Sequence, residues 1–144
     1  MSELVLLSLI NTLIVAIVVL IHFEALSLMT QWLPKIGVRG RLQIVVGVAG
    51  ALLAHILEIW VFAFAFYVKV HYLEWGSFGG SFNGTLLDCY YFAFTTYTTL
   101  GFGDIHPYGA VRYLTGIESL TGLVLITWTA SFLYLQMQRH WKES

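Results

Sequence analysis

Charge is what this chain has least of. Only 10% of its 144 residues are Asp, Glu, Lys or Arg, against 58% hydrophobic, and the mean hydropathy is +0.79. So little polar surface cannot clothe a soluble domain of this size, which makes a bilayer the expected solvent. Neither sign is in excess: the formal net charge is −1, so the basic patch that holds nucleic acid is missing and that class of partner is excluded. The chain has one cysteine, Cys89, within an apolar stretch. A single thiol permits no intrachain disulfide and no CxxC metal pattern, and it reads as a small core residue. The histidines match no zinc spacing, no nucleophile and base stand at usable spacing, and no span carries the regular arginines of a voltage sensor. No catalysis, no cofactor and no steep voltage sensing are expected.

What the chain does have is apolar length. Crossing a bilayer takes about 20 apolar residues, and three runs suffice: Leu4 to Ile21, Ile44 to Val68 and Tyr113 to Leu135. The first carries Glu3 but no basic residue ahead of it, and no A-x-A site follows, so it reads as a retained helix continuing towards Trp32 rather than a secretory signal. Pro34 and Gly37 then break the pattern, and Lys35, Arg39 and Arg41 gather in the connection to the second run. The excess of basic residues makes that connection cytoplasmic. Three spans then put the N-terminus outside and the C-terminus, with Arg139 and Lys142, inside, leaving Lys69 and Arg112 outside. A multi-pass cell-membrane protein is expected. The chain stops six residues after Gln138, so no cytosolic ligand-binding module is anticipated and no soluble partner is implied.

Between the second and third runs the character changes. Gly76, Gly79, Gly80 and the pair Asn83-Gly84 mark a turn-rich surface segment. Thr85 and Asp88 stand in the T-x-x-D spacing of a capping box, opening an apolar helix from Leu86 to about Thr98, roughly 13 residues and too short to span. Then comes TYTTLGFGDIHP, residues 97–108. A short helix and a glycine loop between two spans read as a re-entrant element, and irregular backbone at that depth survives only when buried in protein or lining a water-filled path. Gly101 and Gly103 tolerate dihedrals that turn successive carbonyls towards one axis, and Thr99 adds a hydroxyl. One strand cannot surround an ion, but four copies stack rings of oxygens able to replace a hydration shell, the arrangement known for four TVGYG loops. The short helix points its partially negative C-terminal end inward, while Asp104, Glu74 and Asp88 concentrate cations at the outer mouth.

The heptapeptide TTLGFGD resembles the filter of the potassium channel superfamily, TTVGYGD in its commonest form. The resemblance spans Leu42 to Trp141 and implies an all-α membrane protein: three transmembrane helices, a re-entrant pore helix and a filter loop, assembled in the bilayer as a four-fold homotetramer. On this reading 1–33 is an additional N-terminal helix and 34–42 a basic cytoplasmic loop. The pore module, 43–141, divides into outer helix 43–70, turret 71–84, pore helix 85–98, filter 99–104 and inner helix 110–140. Whole-chain similarity is to small prokaryotic channels with such an extra helix. The resemblance implies potassium as the permeant ion, with Thr99, Leu100, Gly101, Phe102 and Gly103 coordinating it and Asp104 at the outer mouth. Gly122 falls at the family's place for a gating hinge, although a glycine also permits close helix packing. Two residues depart from the common filter: Leu100 stands for Val or Ile, and Phe102 for Tyr, losing a hydroxyl that could tie filter to pore helix. A weakly selective cation channel and an accessory membrane subunit regulating another channel or transporter are the alternatives.

Ionisable residues within spans are functional candidates by default. Here they are His55 and Glu58, which share a helix face at i, i+3, Glu118 in the third span, and His22 and Glu24 in the first. His55, Glu58 and Glu118 form a possible polar cluster behind the filter, read either as a hydrogen-bonded network joining the first helix to the pore module or as a proton sensor. His106 at the outer mouth reads as a solvated histidine or a site of external proton modulation.

Overall fold

The computed structural model describes residues 2–35, 37 and 41–143. It is mostly helical: α1 (Ser2–Trp32), α2 (Arg41–His71), β1 (Gly76–Gly80), α3 (Leu86–Tyr97), β2 (Ile105–Gly109) and α4 (Val111–Glu143). Among the described residues three segments are long and apolar enough to cross a membrane, Glu3–Trp32, Arg41–His71 and Val111–Arg139, with hydropathies of 3.0, 2.2 and 1.4. Arg39 and the side chain of Lys142, both assigned above to the cytoplasmic side, lie outside the described residues.

The helix α1 contains neither glycine nor proline and stops two residues before Pro34, which disfavours helical geometry in the residue preceding it. Its buried positions, Asn11, Val18, His22 and Leu26, recur every three to four residues or their multiple and form one seam. That seam packs against α2 and α4. The remaining faces present Leu4, Leu6, Leu9, Leu13, Leu20, Phe23 and Leu28 outward, a surface suited to hydrocarbon and not to water. Two polar contacts pin the seam: Lys69 donates from Nζ to Asn11 Oδ1 at 2.8 Å, and His22 Nδ1 meets Glu58 Oε1 at 2.9 Å. The pairs are separated by the same stretch on both helices, about three turns, as antiparallel helices locked in one register require.

The short helix α3 is held against α2 by aromatic packing. Phe66 and Phe92 meet edge to face at 5.2 Å, Phe78 of β1 sits 4.6 Å from Phe92, and Trp60 stacks on Tyr90 at 4.3 Å, geometries that add to plain area burial. Its start is the expected capping box. Asp88 N–H donates to Thr85 Oγ1 at 3.0 Å, and Asp88 Oδ2 accepts from the backbone N–H of Thr85 and Asn83. Cys89 is buried one residue on, and burial, with a smaller push from the Asp88 carboxylate, raises its thiol to about 12, so it stays an inert core group.

The purely helical expectation is corrected in one place. The glycine-rich segment before α3 is not only turn: β1 pairs antiparallel with β2, Gly76 opposite Gly109 and Gly80 opposite Ile105. Five residues rich in glycine carry no alternating pattern, so pairing that closes across the whole of α3 left no local signal. The ladder ties the chain before α3 to the chain after the loop, fixing both ends of the TYTTLGFGD region.

The cap yields a prediction. Partial burial opposes ionisation of Asp88, but the N–H groups of Asn83 and Thr85 and the Thr85 side chain hold its carboxyl below the ordinary range. Its contribution to stability is therefore present above the ordinary carboxylate pKa and lost as pH falls through the lowered one. Thr85→Ala should cost about 1 kcal/mol, and the difference between wild type and Asp88→Asn in detergent thermal melts should be largest at neutral pH and vanish in strong acid.

Candidate functional site

The C-terminal end of α3 sets the loop that follows. The Thr95 carbonyl accepts from Leu100 N–H at 2.8 Å and Gly101 N–H at 3.0 Å, and the Thr96 carbonyl accepts from Thr99 N–H at 2.9 Å. Those amides are directed back into the helix end. Among the described residues no carbonyl of 99–103 accepts a hydrogen bond from within the chain, and Thr99 to Asp104 are all exposed.

The backbone alternates. Thr99, Gly101 and Gly103 have φ of 59°, 52° and 80°, whereas Leu100 and Phe102 are not in the left-handed region. Reversing every second φ brings successive carbonyls towards one side, where an ordinary strand would alternate them. Glycine adopts such angles freely, but a β-branched threonine does so only at a cost of order 1–3 kcal/mol. Thr99 is held there by its N–H bond to Thr96 and by the anchored residues on either side.

Asp104 closes the loop at its far end. Its Oδ2 accepts from the Tyr91 hydroxyl at 2.9 Å, and its carbonyl accepts from Ser81 N–H at 2.8 Å. The hydroxyl that Phe102 lacks is thus matched by a different tie between loop and helix, supplied by Tyr91 six residues after the N-cap Thr85. Of the acids assigned to the mouth, Asp104 and Glu74 are exposed, while Asp88 is engaged in the cap. His106 is exposed, its ring 5.2 Å from that of Tyr108.

Behind the loop lies a polar cluster. Glu58 Oε2 accepts from the Tyr97 hydroxyl and meets His55 Nδ1 at 3.0 Å, which in turn is 2.9 Å from Tyr97 Oη. His22 supplies the contact to Oε1, and Thr129 Oγ1 lies 3.0 Å from His55 Nε2 and 3.4 Å from His22 Nε2. The pairing of His55 with Glu58 was anticipated; His22, Tyr97 and Thr129 were not assigned to it. Their only signal was polarity within apolar helices, which demands a partner without saying which. Glu118 does not join the network. It is fully buried, and among the described residues neither carboxylate oxygen has a hydrogen-bond partner. Glu24 is exposed.

Gly122 has a direct steric reason. A Cβ there would collide with the Tyr97 carbonyl oxygen, so α4 crosses the end of α3 at backbone distance, and Ser119 Oγ adds a bond to the Thr96 carbonyl at 3.3 Å. Gly122→Ala should lower stability by about 1–3 kcal/mol through overpacking; an unchanged detergent melting midpoint would mean that the crossing is not that close.

Comparison with known protein families matches residues 44–139 to the model of a family described as Ion channel. No curated protein and no solved structure matches the chain.

Proposed function

We propose a conduction mechanism from one premise: the chain belongs to that ion channel family, and membership supports passive movement of ions across a membrane. The permeant ion is potassium. Four copies of the chain surround one axis and each contributes the 99–103 strand. The observation that carries this reading is the alternation of φ at Thr99, Gly101 and Gly103 together with the unbonded carbonyls between them. In a four-fold ring those carbonyls form stacked oxygen cages, completed on the inner side by the Thr99 hydroxyl, and dehydrated ions pass in single file by knock-on between adjacent cages. Because the amides of Leu100 and Gly101 are committed to Thr95, the oxygens stay turned towards the ion.

The remaining parts follow from the same assembly. The C-terminal end of α3 brings partial negative charge towards the cation, and Asp104, held by Tyr91, raises cation concentration at the outer mouth. The basic connection after α1 faces the cytoplasm, with the N-terminus outside and Arg139 inside. The module divides as read above, with α1 added to an outer helix, pore helix, filter and inner helix.

The test is flux from liposomes holding the purified chain, under potassium or sodium gradients. Potassium flux should exceed sodium flux by at least about tenfold, ~1.4 kcal/mol of discrimination, be blocked by barium, and disappear in Gly101→Ala. Equal rates would identify a weakly selective cation channel; absence of any flux would identify an accessory subunit.

A further inference from the structure

We infer that His22, His55 and Glu58 form a binding site for a first-row transition dication of the zinc class, with Tyr97 as a neighbouring oxygen donor and Thr129 as the group that orients both imidazoles. The site lies apart from the proposed ion path and does not depend on it.

The donor set comes first. One ligand atom from each of His22, His55 and Glu58 lies within 4.8 Å of the others, and the closest approaches are the 2.9 Å and 3.0 Å contacts of the two Nδ1 atoms with the carboxylate. Tetrahedral zinc at 2.0–2.1 Å from each ligand needs ligand atoms about 3.3 Å apart, so small side-chain shifts suffice. Two imidazoles and one carboxylate suit zinc and its neighbours, whereas potassium, calcium and magnesium prefer all-oxygen sets. The fourth position falls to the Tyr97 hydroxyl, already bonded to both Glu58 and His55.

Thr129 supplies an outer shell for such a site. Its hydroxyl stands between the Nε2 atoms of both histidines. When both Nδ1 atoms bind a metal, both Nε2 atoms carry protons, and the two lone pairs of Thr129 Oγ1 accept both. That is the outer-shell arrangement that orients metal-bound histidines.

Charge is the third consideration. A dication bound to one carboxylate leaves a net positive charge inside a bilayer-depth helix packing, which needs a counter-charge. Glu118 is fully buried with both oxygens unpartnered among the described residues and stands one helical turn from Gly122, which packs on Tyr97; a dication at the site would favour its ionised form and so draw out that counter-charge. The His55 side chain is 13% exposed, at the edge of a largely apolar groove of about 500 Å³ bordered by Leu52, Ile56, Tyr97 and Thr129. A bound ion would join α1, α2 and the end of α3 at one point, coupling the added helix to the loop.

Purified full-length chain in detergent, stripped of metal and titrated with Co²⁺, should show a visible d–d spectrum of tetrahedral type saturating at one ion per chain, displaced by Zn²⁺ and lost on acidification as the imidazoles take up protons. His22→Gln and His55→Gln should weaken binding by more than tenfold. Thr129→Val, which leaves all three ligands, should weaken it by about 10–100-fold and keeps the test decisive if a histidine variant does not fold. A chain with His71, His106 and His140 all replaced by Asn should bind as wild type does. The inference is overturned if wild type gives no saturable spectrum, or if binding survives His22→Gln and Thr129→Val but is lost in the triple variant.

Discussion

The Glu58 carboxylate is the contact on which the packing of this chain turns. An ionised carboxylate is costly to leave bare at bilayer depth, because lipid offers it no hydrogen bond. Glu58 therefore collects His22 from α1, His55 from its own helix and Tyr97 from α3, and through the histidines it reaches Thr129 on α4. One charged group thus takes all four helices as partners. With Lys69 and Asn11 as a second pin, it also sets the register of α1 against α2, which apolar side chains alone would leave free to slide, since hydrocarbon is as good a solvent for Leu as another Leu is.

Tyr97 carries that constraint to the loop. Its hydroxyl is held at Glu58, its ring is buried, and its carbonyl lies where Gly122 lets α4 cross. The end of α3 is thereby fixed from three sides. From that fixed end the carbonyls of Thr95 and Thr96 take the amides of Thr99, Leu100 and Gly101, and the strained dihedral of Thr99 becomes tolerable because its neighbours have no alternative. At the other end Tyr91 and the β1–β2 ladder hold Asp104 and the residues beyond it. The chain forms a frame around a few residues whose carbonyls accept no hydrogen bond among the described residues, which is what the proposed ion pathway requires.

Much of this was legible in residue order. Three spans follow from uninterrupted apolar length, the start of α3 from Thr85 and Asp88, and the loop from two glycines spaced by one residue. These are local signals: hydropathy, cap spacing and glycine dihedral freedom act within a few residues of where they are read. The strands β1 and β2 escaped because GSFGG has no alternation and gains its partner only after α3 intervenes. The cluster around Glu58 was half visible, as His55 lies one helical turn away, and half not, as His22 and Thr129 arrive from other helices.

The amino-acid sequence by itself determined the apolar solvent, three helices long and apolar enough to cross it, the short capped helix and the glycine loop after it, since each depends on properties a residue carries with it. Only tertiary structure decided which polar groups meet. Lipid obliges His22, His55, Glu58, Tyr97 and Thr129 to find partners, but any of several pairings would satisfy that demand on paper. Helix register and crossing geometry select one of them, and nothing in the one-dimensional order expresses a distance between helices.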